Sequence, residues 1–211
     1  MGPVVLCALA VVGLLLAERR RAPAGIWIAK PIASASFVWA ALSSGAGTST
    51  YGMLVLAGLA LCMLGDVLLI PVTAPRVFRA GVLAFLLGHL AYGAAFLSRP
   101  LSPFGLVAGG VLLAAVLLAV LRWLGRSLPA DMVVPVRTYM VVIGAMATLA
   151  CGVTAAGGPW QVALGALAFT ASDVAVARDR FVQREFLNRA WGLPLYYGAQ
   201  LLIAVTPALV S

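Results

Sequence analysis

Two aspartates stand inside long apolar stretches of the sequence. Asp66 lies in the run Leu61–Pro71, and no other charged residue precedes it as far back as Tyr51. Asp173 lies in a second apolar run, which begins at Trp160. A carboxylate at the centre of a membrane-spanning helix costs at least ~2.5–3.5 kcal/mol, so such residues usually face the protein interior and have a function there. Asp66 and Asp173 are therefore our candidate catalytic residues.

Further polar side chains that could complete a site also lie in or beside apolar runs. The candidate substrate-binding residues are Lys30, His89, Tyr92, Asn188, Tyr197 and Gln200. Three of them have a simpler interpretation: Lys30 as an interfacial lysine, Tyr197 as an interfacial aromatic residue and Asn188 as a helix cap. His89, the only histidine, is either a hydrogen-bonded packing residue or part of the site.

The aspartates also have a structural alternative. Asp66 could form an ion pair with Lys30, and Asp173 could pair with Arg178 or Arg180 at the membrane interface. The only histidine has no carboxylate within helical spacing, so we expect no metal site. We expect no cofactor either.

Composition places these residues in a membrane protein. Of the 211 residues, 64% are hydrophobic and only 9% are charged, with a mean hydropathy of +1.10. A soluble core cannot absorb that much apolar surface, and the length leaves room for one transmembrane helical domain over residues 1–211. The net charge of +8 does not indicate nucleic-acid binding, because the arginines form short clusters between apolar runs.

The apolar runs predict an all-α bundle of about eight transmembrane helices. Their predicted ranges are Pro3–Ala17, Gly25–Leu42, Tyr51–Pro71, Arg79–Leu97, Phe104–Leu121, Val133–Cys151, Trp160–Ala177 and Ala190–Leu209. Pro31 is expected to break or kink the second helix.

Arginine is distributed unequally between alternate loops. The first, third, fifth and seventh loops contain eleven arginines, and the other three contain only Arg99. By the positive-inside rule the odd loops are cytoplasmic and both termini are extracytoplasmic. We expect a multi-pass protein of a plasma membrane of the bacterial inner-membrane type.

This orientation places the candidate residues in one half of the bilayer. Asp66 and Asp173 lie ~6–7 Å from the cytoplasmic ends of their helices, at about 1.5 Å per residue. Lys30, His89 and Gln200 fall in the same half or near the midplane. We therefore expect one polar cavity that opens toward the cytoplasmic side.

A weak internal sequence similarity also relates the segments around the two aspartates. Gly65-Asp66-Val67 ends the third helix and Ser172-Asp173-Val174 ends the seventh, and the two helices run in the same direction. This pattern is consistent with a 4+4 parallel repeat. Such a repeat would make Asp66 and Asp173 pseudo-symmetry mates that face each other.

At these residues the sequence resembles the YhhN family of integral membrane proteins, whose characterised members are lysoplasmalogenases. The matching pieces are Lys30-Pro31, Gly65-Asp66 with Leu68-Leu69, Phe85 to Tyr92 with Gly88-His89, Ser172-Asp173, and Pro194 with Tyr197 and Gln200. They occur in the family's order from Lys30 to Ile203. Ala175-Val176-Ala177 departs from the Leu-rich stretch that is more usual after Asp173.

The resemblance implies an eight-helix bundle that hydrolyses the vinyl ether bond of lysoplasmalogens. The substrate would be a lysophospholipid, and the surrounding membrane lipids would be the other partners. Asp66 and Asp173 would be the acid and carboxylate pair, with Lys30, His89, Tyr197 and Gln200 around them. The sequence does not decide which aspartate takes which role. The alternative function is a small proton-coupled membrane transporter, since intramembrane carboxylates and parallel repeats occur there too.

The loop charges give a testable topology. Reporter domains fused after Ser211 and within the segment Arg178–Arg189 should report opposite compartments, the first extracytoplasmic and the second cytoplasmic. A cytoplasmic C-terminus would contradict this topology and the depths assigned to Asp66 and Asp173.

Overall fold

A computed structural model describes residues 1–71 and 74–210. These residues contain no strand and form eight α-helices. The helices are α1 (Gly2–Arg20), α2 (Pro23–Ser43), α3 (Thr50–Leu68), α4 (Pro75–Leu97), α5 (Pro103–Leu124), α6 (Val133–Ala155), α7 (Trp160–Ala177) and α8 (Phe186–Ala204). The predicted all-α class is confirmed. Short 3₁₀ turns at Ala130–Met132 and Thr206–Ala208 and a π-helical segment at Arg178–Val182 complete the regular structure.

Most of these helices can cross a membrane. Among the described residues, α1 to α7 are long and apolar enough to do so. Helix α8 has 19 residues but a more polar sequence that includes Asn188, Arg189 and Gln200. The chain is a multi-pass helical membrane bundle, as its composition predicts.

Prolines explain two of the boundaries that differ from the predicted ones. Helix α4 begins at Pro75, four residues before the predicted start, and α2 begins at Pro23, two residues before it. Proline at the first helical position has no N–H to leave unpaired, and its fixed φ suits a helix start. Inside α2, however, Pro31 does not break the helix, which runs unbroken to Ser43.

Six of the helices pack in a closed ring. The order around the ring is α2, α3, α4, α6, α7, α8 and back to α2, while α1 packs outside on α2 and α8, and α5 packs outside on α6. Exchanging α1–α4 with α5–α8 leaves the ring order unchanged. This is the neighbour order that a parallel four-helix repeat would produce, and it places α3 and α7, which carry the aspartates, in equivalent positions.

Glycines allow α3 and α4 to approach closely. A Cβ atom at Gly58 would overlap the Tyr92 ring, and one at Gly65 would lie 2.7 Å from the Phe85 ring. Small residues at helix interfaces permit such packing in membranes, where no hydrophobic force drives helices together. The two glycines therefore set the positions of α4 side chains that face the interior of the ring.

We expect Gly58→Ala to destabilise the protein. The added methyl group must displace the buried Tyr92 ring, and overpacking of this kind costs about 1–3 kcal/mol. Gly198→Ala is the matched control, because no atom beyond its chain neighbours and the backbone of its own helix turns lies within 4 Å of its Cβ position. Thermal unfolding in detergent should give a lower Tm for Gly58→Ala than for Gly198→Ala. Equal Tm values would contradict the close contact between α3 and α4.

Candidate active site

Asp66 on α3 is surrounded by three donor groups. Lys30 Nζ lies 3.4 Å from Oδ1, and the hydroxyls of Ser34 and Tyr196 each donate a 2.7 Å hydrogen bond to Oδ2. The Asp66 side chain is 3% exposed and that of Lys30 is 14% exposed. A buried carboxylate is tolerated when it is paired and hydrogen-bonded, and both conditions are met here.

Helix geometry positions these donors. Lys30 and Ser34 are four residues apart on α2, so both project toward the same neighbour, α3. Tyr197 follows Tyr196 on α8, and its hydroxyl lies 3.4 Å from Ser34 Oγ and 3.5 Å from the Lys30 carbonyl oxygen. Tyr197 therefore borders the Asp66 pocket but contacts the residues around the carboxylate rather than the carboxylate itself.

Asp173 on α7 occupies a second pocket with different partners. His89 Nε2 lies 3.4 Å from Asp173 Oδ2, and the Tyr139 hydroxyl donates to the same oxygen at 3.3 Å. The His89 side chain is fully buried, and that of Asp173 is 15% exposed. His89 Nδ1 lies 2.8 Å from the Phe85 carbonyl oxygen, one turn earlier on α4. The contact at Nδ1 therefore fixes the imidazole ring, with Nε2 beside Asp173.

The two pockets are built from equivalent helices. Asp66 on α3 receives its partners from α2 and α8, and Asp173 on α7 receives its partners from α6 and α4. The exchange that preserves the ring order converts one set of helices into the other. The chemical groups nevertheless differ, since lysine and serine stand in the first pocket and histidine in the second.

Aromatic rings connect the pockets. Phe169 stacks on His89 with a centroid separation of 4.2 Å and lies 5.5 Å from the Tyr196 ring, while Phe85 is 5.9 Å from Tyr196. No hydrogen bond or ion pair among the described residues joins Asp66 directly to Asp173. The two carboxylates were expected to face each other, but each has its own set of partners.

A third polar group lies on the same α4 face. The Tyr92 hydroxyl donates a 2.6 Å hydrogen bond to Gln200 Oε1, and both side chains are fully buried. Within the described part of the chain, Gln200 Nε2 has no partner and His89 Nε2 makes no well-aligned hydrogen bond. An unpaired buried polar group costs about 1–3 kcal/mol. Water or a ligand at these two nitrogens would remove that cost.

Asn188 lies apart from both carboxylates. It is buried, its Nδ2 donates to the Gln183 carbonyl oxygen at 2.7 Å and to Asp179 at 3.3 Å, and its Oδ1 accepts from Arg178. Arg189 extends this network to Asp179 and to Glu18 of α1. The network ties the π-helical segment to α8 and α1. The cap of α8 is Glu185 and not Asn188, so the capping interpretation is wrong.

Comparison with known proteins gives the family. The model of the YhhN family matches residues 25–206, most of the chain. The chain belongs to the YhhN family. Pig lysoplasmalogenase TMEM86B is 34% identical over 83% of this chain and 71% of the pig protein. The human protein of the same name is 34% identical over 82% and 69%, and bovine lysoplasmalogenase TMEM86A is 30% identical over 72% and 64%. No solved structure matches the chain.

Three side chains in the pockets of this YhhN-family protein were not singled out as site residues. Ser34 could have been found from its position one turn after Lys30. Tyr139 carried no signal beyond being a lone aromatic hydroxyl in the sixth apolar run. Tyr196 and Tyr197 are adjacent, and the sequence alone does not decide which of them points to the aspartate.

Of the two ion pairs considered for the aspartates, one is present in the structure and the other is not. Asp66 and Lys30 do form the ion pair that was considered, so Lys30 is not a free interfacial lysine. Asp173 contacts neither arginine: Arg178 binds Glu185 and Asn188, and Arg180 lies 4.1 Å over the Phe78 ring. The interfacial ion pair considered for Asp173 is therefore wrong.

Two cavities lie away from both pockets. One of about 320 Å³ lies between α5 and α6, beside Leu117, Met140 and Gly144, and one of about 170 Å³ lies near Arg99 and Gly157. The polar cavity expected around the aspartates stays a prediction. In residues 1–71 and 74–210 no cluster of three histidine, cysteine or acidic side chains is placed to hold a metal ion.

The ion pair in the first pocket makes a testable prediction. Lys30→Met should lower the Tm in detergent, because it leaves Asp66 buried without its cation, and breaking such a pair costs about 3–5 kcal/mol. Adding Asp66→Asn to Lys30→Met should restore part of the loss. A double variant that is less stable by the sum of the two single effects would show that the two charges are not coupled.

Proposed function

We propose that this YhhN-family protein is a lysoplasmalogenase. It cleaves the vinyl ether bond of a lysoplasmalogen and releases a fatty aldehyde and glycerophosphoethanolamine or glycerophosphocholine. The observation that carries the proposal is the burial of two carboxylates, in two different pockets, inside the helix ring of a chain whose relatives are named lysoplasmalogenases.

The reaction needs an acid and a stabilising negative charge. A proton adds to the carbon β to the ether oxygen, and the double-bond electrons form the new C–H bond. The ether oxygen then shares the positive charge as an oxocarbenium ion. Water adds to the adjacent carbon and loses a proton, and the resulting hemiacetal collapses to aldehyde and alcohol. Glycosidases meet a similar requirement with two carboxyl groups around an oxocarbenium-like transition state.

The two pockets match these requirements. Asp66 and Asp173 supply the carboxyl groups, and neither step requires a metal or cofactor. The unpaired Gln200 Nε2 is available to substrate or water, with Tyr92 fixing the Gln200 amide. The aromatic rings between the pockets exclude bulk water, which strengthens the electrostatic interactions inside.

The remaining candidate residues belong to the arginine-rich end of the bundle. A lysolipid would keep its phosphate at that end and its chain among the helices. Lys30 and Tyr197 border the Asp66 pocket, and Asn188 lies in the network with Arg178 and Arg189. In this proposal the protein resides in a plasma membrane of the bacterial inner-membrane type, both termini are extracytoplasmic, and the phosphate binds on the cytoplasmic side.

Aldehyde release from lysoplasmalogen by the purified protein in detergent tests the proposal. Asp66→Asn and Asp173→Asn should each reduce turnover to background, because each removes an ionisable group at nearly constant shape. Asp131→Asn is the matched control: Asp131 lies outside both pockets in an exposed contact with Arg79, and its variant should retain wild-type turnover.

Detergent also separates hydrolysis from transport. It abolishes any gradient across the membrane but leaves hydrolysis possible, so a proton-coupled carrier would release no aldehyde. Wild-type turnover in either site variant would remove that aspartate from the mechanism. Absence of aldehyde with folded wild-type protein would contradict the proposed function.

A further inference from the structure

We propose that Asp173 and His89 share the proton that the site delivers to carbon, while Asp66 remains an ionised carboxylate. The claim that this proton is delivered to the substrate's carbon rests on the proposed function. The location of the proton rests only on the geometry of the two pockets.

The protonation of His89 follows from its backbone contact. Nδ1 lies 2.8 Å from the Phe85 carbonyl oxygen, which can only accept a hydrogen bond. Nδ1 must therefore carry a proton, because two lone pairs would otherwise face each other at that distance. In a neutral imidazole the other nitrogen, Nε2, then has a lone pair and no proton.

This lone pair faces a carboxyl group. Nε2 lies 3.4 Å from Asp173 Oδ2, and both side chains are largely or fully buried. Nε2 and Oδ2 are not aligned as a hydrogen bond in this state. A carboxylate and an imidazole lone pair at this distance repel each other, and a proton on either Oδ2 or Nε2 removes that repulsion. The Tyr139 hydroxyl already donates its proton to Oδ2, and no lysine or arginine of the described chain lies within 4 Å of Asp173. Catalytic hydrogen bonds are often long before substrate binds and shorten in the complex.

The surroundings of Asp66 instead favour a carboxylate without a proton. Three groups can donate to its carboxylate, and one of them, Lys30, carries a full positive charge. A proton on Asp66 would remove the attraction to Lys30 and would compete with the two hydroxyl donors. Asp66 is thus held ionised, with its charge available to the oxocarbenium ion.

The Asp173–His89 pair loses one proton and regains one proton in each turnover. The shared proton moves to the β-carbon, which leaves Asp173 and His89 without it. When water adds to the oxocarbenium ion, its released proton returns to the pair. The donor is then restored for the next turnover without any other reactant.

Because His89 is the only histidine, ¹⁵N-histidine labelling gives the NMR signals of this one side chain in the wild-type protein without substrate. We expect a protonated Nδ1, and an Nε2 that either carries the proton or accepts it in a hydrogen bond. Asp173→Leu should abolish the Nε2 signature, because it leaves Nε2 with neither a proton donor nor an acceptor on α7, and Asp66→Asn should leave it unchanged. A neutral ring with Nδ1 bare and Nε2 protonated would overturn the proposal.

Two hydroxyl deletions keep the test decisive if an aspartate variant does not fold. Tyr139→Phe removes a donor from Asp173 and should shift the Nε2 signal, whereas Tyr196→Phe removes the equivalent donor from Asp66 and should not. A shift of the Nε2 signal in Tyr196→Phe and none in Tyr139→Phe would contradict the proposal. Since no substrate is present, these spectra test the position of the proton independently of aldehyde release.

Discussion

The structure depends on keeping two carboxylates inside a bundle made almost entirely of apolar helices. Such a group is stable in a low-dielectric interior only when nearby charges and donors compensate it. The first pocket does this with an ammonium group and two hydroxyls, and the second with an imidazole and one hydroxyl. The closed ring of six helices is what brings these partners from four different helices to the two aspartates.

The ring places equivalent helices around both aspartates, but the side chains in the two pockets have diverged. Lys30 and Ser34 of α2 face Asp66, while Tyr139 of the equivalent helix α6 faces Asp173. A symmetric framework therefore supports two carboxyl groups in different electrostatic surroundings. Acid-catalysed cleavage through a cation needs such a difference, because one carboxyl group must give a proton and the other must remain negative.

The helical fold and the burial of the two aspartates could be predicted, because leaving long apolar segments in water or a charge in lipid costs much free energy. Long apolar runs specify membrane helices, and a charge within such a run signals a buried site. Apart from the Lys30–Asp66 ion pair, the contacts within the site could not be predicted, because they depend on which helices become neighbours. Tyr139 had no local signal, and the choice between Tyr196 and Tyr197 required the rotation of α8. Asn188 looked like a site residue or a cap, but its partners lie in and directly after a π-helical segment that has no pattern in the sequence.

The central claim is that a carboxyl group of this site delivers a proton to carbon. Hydrolysis in heavy water, with the aldehyde reduced to the alcohol as it forms, tests this directly. The account predicts one deuterium on the carbon next to the former aldehyde carbon, because the donor exchanges with solvent between turnovers. Aldehyde exposed alone to the same buffer for the same time controls for exchange through its enol. A product without deuterium at that carbon would contradict the account, even if Asp66 and Asp173 both proved essential.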